Sequence, residues 1–484
     1  MAPRRPLGRP LASRTPRPSE RERIPAPLIK RRIPSGRRAS EQPNVTSDAV
    51  PLTPRFWLAI VVTGVAAGLF GVLMMLILFS MEHLAFGGHT GGFQAAVERS
   101  TALHRVAVLA VAGVFGGVAW YVLRRLTAGE KSDIDDAIWN GDGHLSFRRC
   151  LGSGAISEVV IGMGASIGRE SAPKLLGGAS ASVISGWTRL SPAQRRLLVA
   201  CGGGAGFAAV YNVPLGGALF TAEILIGSIT LPVMLPAVAC ASIATFTSWI
   251  YLPQHATYLD IPHYRFSVAL MVWGLIAGPL LGVAAVLYIR LVALISHHHV
   301  RGRWAPAAPL LAFTILGVIG IAYPQLFGNG KDMAHDAFLG VGSIALFAAL
   351  AALKPLVTSL CLYSGASGGL FTPVMSTGAV LGGALGLAWS SAFPGSPVGA
   401  YAMVGGAAMI GAGMQAPLAA LALILEFTHA GFGVMVPMMA STALATIVAR
   451  HLDGYTIYSA RLAAQPAASA PPAPEVRPAQ ARAG

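Results

Sequence analysis

Between Pro355 and Leu425 the chain runs for 71 residues without a single Asp, Glu, Lys or Arg. A helix rises about 1.5 Å per residue and the hydrocarbon of a bilayer is about 30 Å thick, so one crossing uses only ~20 residues. The run must therefore fold as several helices, and the connections between them carry no charge to hold them in water. Its interruptions are small or apolar: Gly368-Gly369, Pro373, Pro394, Gly405-Gly406, Gly411 and Pro417. Short, broken and partly re-entrant helices packed inside protein fit this pattern better than full spans joined by polar loops. A second stretch, Leu197 to Leu259, holds one charge, Glu223. The whole chain agrees, with 11% charged residues and a mean hydropathy of +0.61 over 484 residues. Soluble domains carry about 25% charged residues, and glycine without a three-residue period excludes collagen. The class is an all-α polytopic membrane protein.

Phe56–Ser80 and Val106–Leu123 each read as one span, and Phe266–Ile289 and Trp304–Gln325 as ordinary spans near the centre. The membrane body is expected over 55–460, with a first half of about 55–250 and a second of about 265–460. Ahead of it, residues 1–50 carry twelve Lys/Arg against four acids, a net +8 within the chain's +15. Prolines and the lack of an apolar period make 1–54 a disordered arm. A cytoplasmic arm touching anionic lipid suits it better than a nucleic-acid tail or a transit peptide. Residues 461–484 read as an Ala/Pro-rich disordered tail. Cys150, Cys201, Cys240 and Cys361 lack zinc or redox spacing and read as buried thiols.

An internal repeat is the most informative pattern. Asn212-Val213-Pro214-Leu215 runs to Glu223, and Gln415-Ala416-Pro417-Leu418 runs to Glu426. Upstream, Gly168-Arg169-Glu170-Ser171-Ala172-Pro173 has its counterpart in Gly369-Leu370-Phe371-Thr372-Pro373. The two matches keep order and similar spacing. Gly/Pro-interrupted segments at corresponding places in two halves point to a binding site near the membrane midplane. Glu223 and Glu426, being equivalent, suit a shared structural role at helix ends or a dimer contact.

Glu170 stands in an apolar, glycine-rich setting, where a carboxylate is by default a functional-site hypothesis. A helix starting beside it would aim free N–H groups and its positive dipole end at an anion. A carboxylate there occupies the anion's place when ionised and vacates it when protonated. The bland reading is an Arg169–Glu170 pair that caps a helix. Gly369 to Pro373 would supply a second helix start through backbone amides. A phosphate-cradling role for Gly202-Gly203-Gly204 lacks the Lys-Ser/Thr that should follow, so these glycines read as close helix packing. His297-His298-His299 lacks partner ligands and reads as a wet loop. No cofactor or metal is implied.

GRESAP at 168–173 resembles the gating-glutamate motif of the CLC family of chloride channels and proton/chloride exchangers, and GGLFTP at 368–373 resembles the family's G-x-F-x-P motif. Asn212–Leu215 and the stretch Gly454–Ser459 also look like family segments, in the expected order. The resemblance covers roughly 56–460. It implies a homodimer with one anion pathway per subunit and two inverted halves of tilted, broken helices. It also implies a gating carboxylate at Glu170, with Gly168, Arg169 and Gly369 in the motifs around it. Anion contacts would come from the backbone amides of Leu370 and Phe371 and the hydroxyl of Tyr458. A bacterial inner-membrane protein with a cytoplasmic arm, without the paired nucleotide-binding domains of many eukaryotic members, is the expected type.

Two departures shape the functional expectation. Where the family carries G-S-G-x-P, this chain reads Ala128-Gly129-Glu130-Lys131-Ser132, which puts Gly129 at the anion-coordinating serine unless the register slips to Ser132. The family's inner proton-transfer glutamate matches Ile224, beside Glu223, which becomes the alternative proton carrier. The expectation is chloride transport without enzymatic activity, as a gated pH- or voltage-sensitive channel in preference to the alternative, a proton/chloride antiporter. Fluoride or nitrate transport and an intramembrane enzyme using Glu170 stand further back, the latter because no second acid, His or Cys accompanies it.

Overall fold

The computed structural model describes residues 50–87 and 91–462. The basic segment 1–49 and the tail 463–484 lie outside the described residues. The first half comprises α1 (Pro54–Phe86), α2 (Gly92–Arg99), α3 (Ala102–Leu126), α4 (Ile134–Trp139), α5 (Phe147–Gly162), α6 (Ser171–Trp187), α7 (Pro192–Tyr211), α8 (Pro214–Leu219) and α9 (Leu231–Ser248). The second comprises α10 (Val268–His297), α11 (Ala308–Ala322), α12 (Lys331–Leu339), α13 (Ile344–Tyr363), α14 (Phe371–Ser390), α15 (Val398–Met414), α16 (Pro417–Thr428) and α17 (Met435–Leu452). Among the described residues no strand forms; one isolated antiparallel bridge joins Gly168 and Gly369. Seven helices among the described residues, α1, α3, α9, α10, α13, α14 and α17 with its leading turn, are long and apolar enough to cross a membrane.

The uncharged run divides as its glycines and prolines require, into the end of α13 and the whole of α14, α15 and most of α16. The repeat has a physical basis. Asn212 and Gln415 close α7 and α15 in the left-handed region, at φ +57° and +56°, and proline then opens α8 and α16 at a position that needs no N–H. Helices α6 and α7 pack through Gly177 and Gly202, and α14 and α15 through Gly378 and Gly405. A Cβ on Gly378 would approach the Gly405 carbonyl to 2.6 Å, so only glycine allows this contact.

Glu223 and Glu426 tie the two halves together. Glu426 accepts the N–H groups of Leu215 (3.0 Å) and Gly216 (2.6 Å) at the start of α8. Glu223 accepts those of Leu418 (3.3 Å) and Ala419 (2.5 Å) at the start of α16. Each acid therefore caps the helix that begins the other's segment, the geometry of an inverted repeat.

Trp304–Gln325 departs from the expected ordinary span. It breaks into a 3₁₀ turn at Gly302–Trp304 and the fifteen-residue α11. Pro306 and Pro324 bracket that helix, whose length of about 22 Å falls short of a full crossing. Lys354, just before the uncharged run, lies inside the protein. It is fully buried, its Nζ donating to Ser166 Oγ (2.8 Å) and to the carbonyls of Gly328 (2.9 Å) and Leu326 (3.3 Å). The four cysteines are buried and free.

Candidate functional site: a carboxylate at a helix start

Helices α6 and α14 begin head to head. Gly168 N–H donates to the Gly369 carbonyl and Gly369 N–H to that of Gly168, both at 2.8 Å. This two-bond bridge fixes the loops before both helices. It brings together Gly168, Arg169, Glu170, Gly369, Leu370 and Phe371, which lie 201 positions apart in the sequence at the central contact. Both bridge residues are glycine because a Cβ on either would run into the Glu170 carboxylate.

The Glu170 carboxylate is 1% exposed and lies at the start of α14, not over its own helix. Oε1 accepts the Phe371 N–H at 2.7 Å. Oε2 accepts the Thr372 hydroxyl at 3.2 Å and faces the Tyr211 hydroxyl at 3.4 Å. Tyr211 and Thr372 are themselves hydrogen-bonded at 2.8 Å. The first-turn N–H groups of a helix favour negative charge, so this place suits an anion as well as a carboxylate. Arg169 does not pair with Glu170. Its guanidinium stacks 5.0 Å from the centroid of the Tyr211 ring.

Two cavities of about 80 Å³ each flank this junction. One is lined by Glu170, Gly369, Tyr458, Ser132, Asp135 and Lys174, among others. The other is lined by Arg169, Tyr211, Asn212 and Lys331, among others. Glu170 borders the first, and Tyr211, which faces its carboxylate, borders the second. Tyr458 is 6% exposed. Leu370 and Phe371 are fully buried, and the Phe371 ring packs edge-on against Phe207 at 5.0 Å.

Of the two serine-register alternatives, the residue on the cavity wall is Ser132, which accepts a hydrogen bond from Arg149 Nε at 3.0 Å. Gly129 forms a turn at φ +81° with nothing within 4 Å of a Cβ placed there, and it is not among the lining residues. The reason is local: Asp133 caps α4, accepting the Asp136 N–H at 2.9 Å, and carries its immediate neighbour Ser132 to the cavity. Glu223 is engaged at the start of α16 and does not line either cavity.

Sequence reasoning missed three residues here. Lys174 and Asp135 form a 3.3 Å ion pair on the cavity wall. Glu158 on α5 is fully buried, with no hydrogen bond to either carboxylate oxygen among the described residues. The available signal was a charge inside an apolar helix: Lys174 lies in α6 among Ala, Gly, Leu and Ser, and Glu158 in α5 before Val159-Val160-Ile161. Among the described residues, no cluster of His, Cys, Asp and Glu could hold a metal ion.

The fold and this junction define a multi-pass membrane protein with broken helices converging on a buried carboxylate. The sequence profile of the voltage gated chloride channel family matches residues 113–450, and the chain belongs to that family. It is 31% identical to a ClcB-like chloride channel protein of Ralstonia nicotianae over 74% of this chain and 85% of the relative. It is 29% identical to the H(+)/Cl(-) exchange transporter ClcA of Yersinia pestis over 63% of this chain and 65% of the relative. The crystal structure of a slow cyanobacterial Cl-/H+ antiporter superposes with a TM-score of 0.74 at 22% identity, covering 84% of this chain and 97% of that one. The chain is thus a CLC-type chloride transport protein.

Proposed function

We propose that this protein exchanges protons for chloride, with Glu170 as both the gate and the proton carrier. The observation that carries the reading is the Glu170 carboxylate held by the Phe371 N–H at 2.7 Å, at the helix start that suits an anion. Protonation removes the charge that competes with chloride and frees the side chain to leave, so one group links the two ions. Glu158 supports the reading as a second buried carboxyl in α5 able to hold a proton. The ClcA relative, named as an exchange transporter, supports exchange over the channel expectation, which rested on Ile224 in place of an inner glutamate.

The anion path runs past Glu170, the backbone at Leu370 and Phe371, and Tyr458. The protein works as a homodimer in the bacterial inner membrane, a reading that rests on its membership of the family. The basic segment 1–50 lies on the cytoplasmic side against anionic lipid, as its charge suggests.

Purified protein in liposomes under crossed chloride and pH gradients tests exchange. A reversal potential that shifts with the pH gradient is expected. A potential fixed at chloride's own Nernst value means a passive channel and overturns the proposal.

A further inference from the structure

The cavity wall holds a lysine whose environment is only half explained by its ion pair. Lys174 stands four residues beyond Glu170, in the second turn of α6, and is 6% exposed. Its Nζ lies 3.3 Å from Asp135 Oδ2 and 4.4 Å from the centroid of the Tyr458 ring. An ammonium offers three donors. Among the described hydrogen bonds Asp135 takes one, and the aromatic face is a weaker partner. On the acid's side, Asp135 Oδ1 has no hydrogen-bond partner among the described residues. The desolvation of such a buried pair can exceed its Coulombic gain, and a third participant on the cavity side would satisfy the spare donors.

We infer that Lys174 is a direct ligand for the small anion in the cavity between Glu170 and Tyr458, with Asp135 holding the ammonium in place and competing with the anion for it. The inference rests on the reading that this cavity is part of the anion path. It gives that path a full positive charge on the same cavity wall as the Ser132 side chain. An ammonium is a compact point charge with three rotatable donors, suited to a small anion.

The pair also sets the sign of each substitution. If Lys174 and Asp135 were only a structural bridge, Lys174→Met and Asp135→Asn would both loosen the protein and disturb anion binding alike. If Lys174 binds the anion, the two act oppositely: Lys174→Met removes the ligand, and Asp135→Asn removes its competitor.

The test is calorimetric titration of chloride into detergent-purified full-length protein, each variant first checked for a monodisperse elution peak. Lys174→Met should weaken chloride binding about tenfold or more, the usual scale for a hydrogen bond to a charged donor. Lys174→Arg should keep most of the affinity, and Asp135→Asn should tighten it. Unchanged chloride affinity in folded Lys174→Met, or weakening by both Lys174→Met and Asp135→Asn, overturns the inference while leaving the anion path in place. Should Lys174→Met fail to fold, the tightening in Asp135→Asn decides alone. No chloride binding to the unsubstituted protein removes the path and the inference together.

Discussion

Glu223 and Glu426 cap each other's half: the carboxylate of Glu426 takes the N–H groups of Leu215 and Gly216, and that of Glu223 takes those of Leu418 and Ala419. Charge at a helix start adds to the hydrogen bonds themselves. Glu426→Ala or Glu223→Ala should each lower stability by about 1–2 kcal/mol, read as a lower melting temperature in detergent. Glu223→Gln should retain proton coupling, because Glu223 is committed to α16. Loss of coupling in folded Glu223→Gln would place that residue on the proton route instead.

Gly168 and Gly369 have no room for a side chain beside the Glu170 carboxylate. Gly369→Ala should push the carboxylate off the start of α14 and raise chloride flux at neutral pH. Flux measurement in liposomes checks this, and folded Gly369→Ala with unsubstituted flux would contradict the arrangement.

Much of this was legible in the sequence, for reasons that particular residues make plain. Gly/Pro spacing located the helix starts at α6, α8, α14 and α16, because glycine and proline act on the backbone locally and need no tertiary context. The same locality made Glu170 stand out. Ser132 against Gly129 was not decidable, because the choice depends on how the Asp133 cap orients a loop. Lys174 and Asp135 escaped notice since they are 39 positions apart and only packing brings them to 3.3 Å. The channel preference drawn from Ile224 weighed Glu223 as the other carboxyl and passed over Glu158, whose burial only packing reveals.

Thr372 donates to Glu170 Oε2 at 3.2 Å and bonds Tyr211 at 2.8 Å, so one hydroxyl ties the carboxylate to Tyr211. Thr372→Val should weaken the hold on the carboxylate by about 1–2 kcal/mol, roughly a tenfold shift between closed and open forms. Chloride needed for half-maximal flux should fall accordingly. Tyr211→Phe, at 3.4 Å, should produce the smaller change of the two.

Glu158 tests the proton side separately. It lines neither cavity, so Glu158→Gln should leave chloride flux largely intact while reducing proton movement. The ratio of chloride to protons moved, from paired electrode recordings, is the measurement. An unchanged ratio would confine proton carriage to Glu170.

Chloride flux from liposomes as a function of pH, compared between the unsubstituted protein and Glu170→Gln, bears most directly on the gate. With an ionised Glu170 bound at the start of α14, the unsubstituted protein should be slow at neutral pH and faster as the pH falls, because protonation releases the carboxylate. Glu170→Gln carries no charge at any pH, so its flux should be high, nearly independent of pH, and uncoupled from protons. Folded Glu170→Gln protein that keeps the unsubstituted pH dependence would contradict the account.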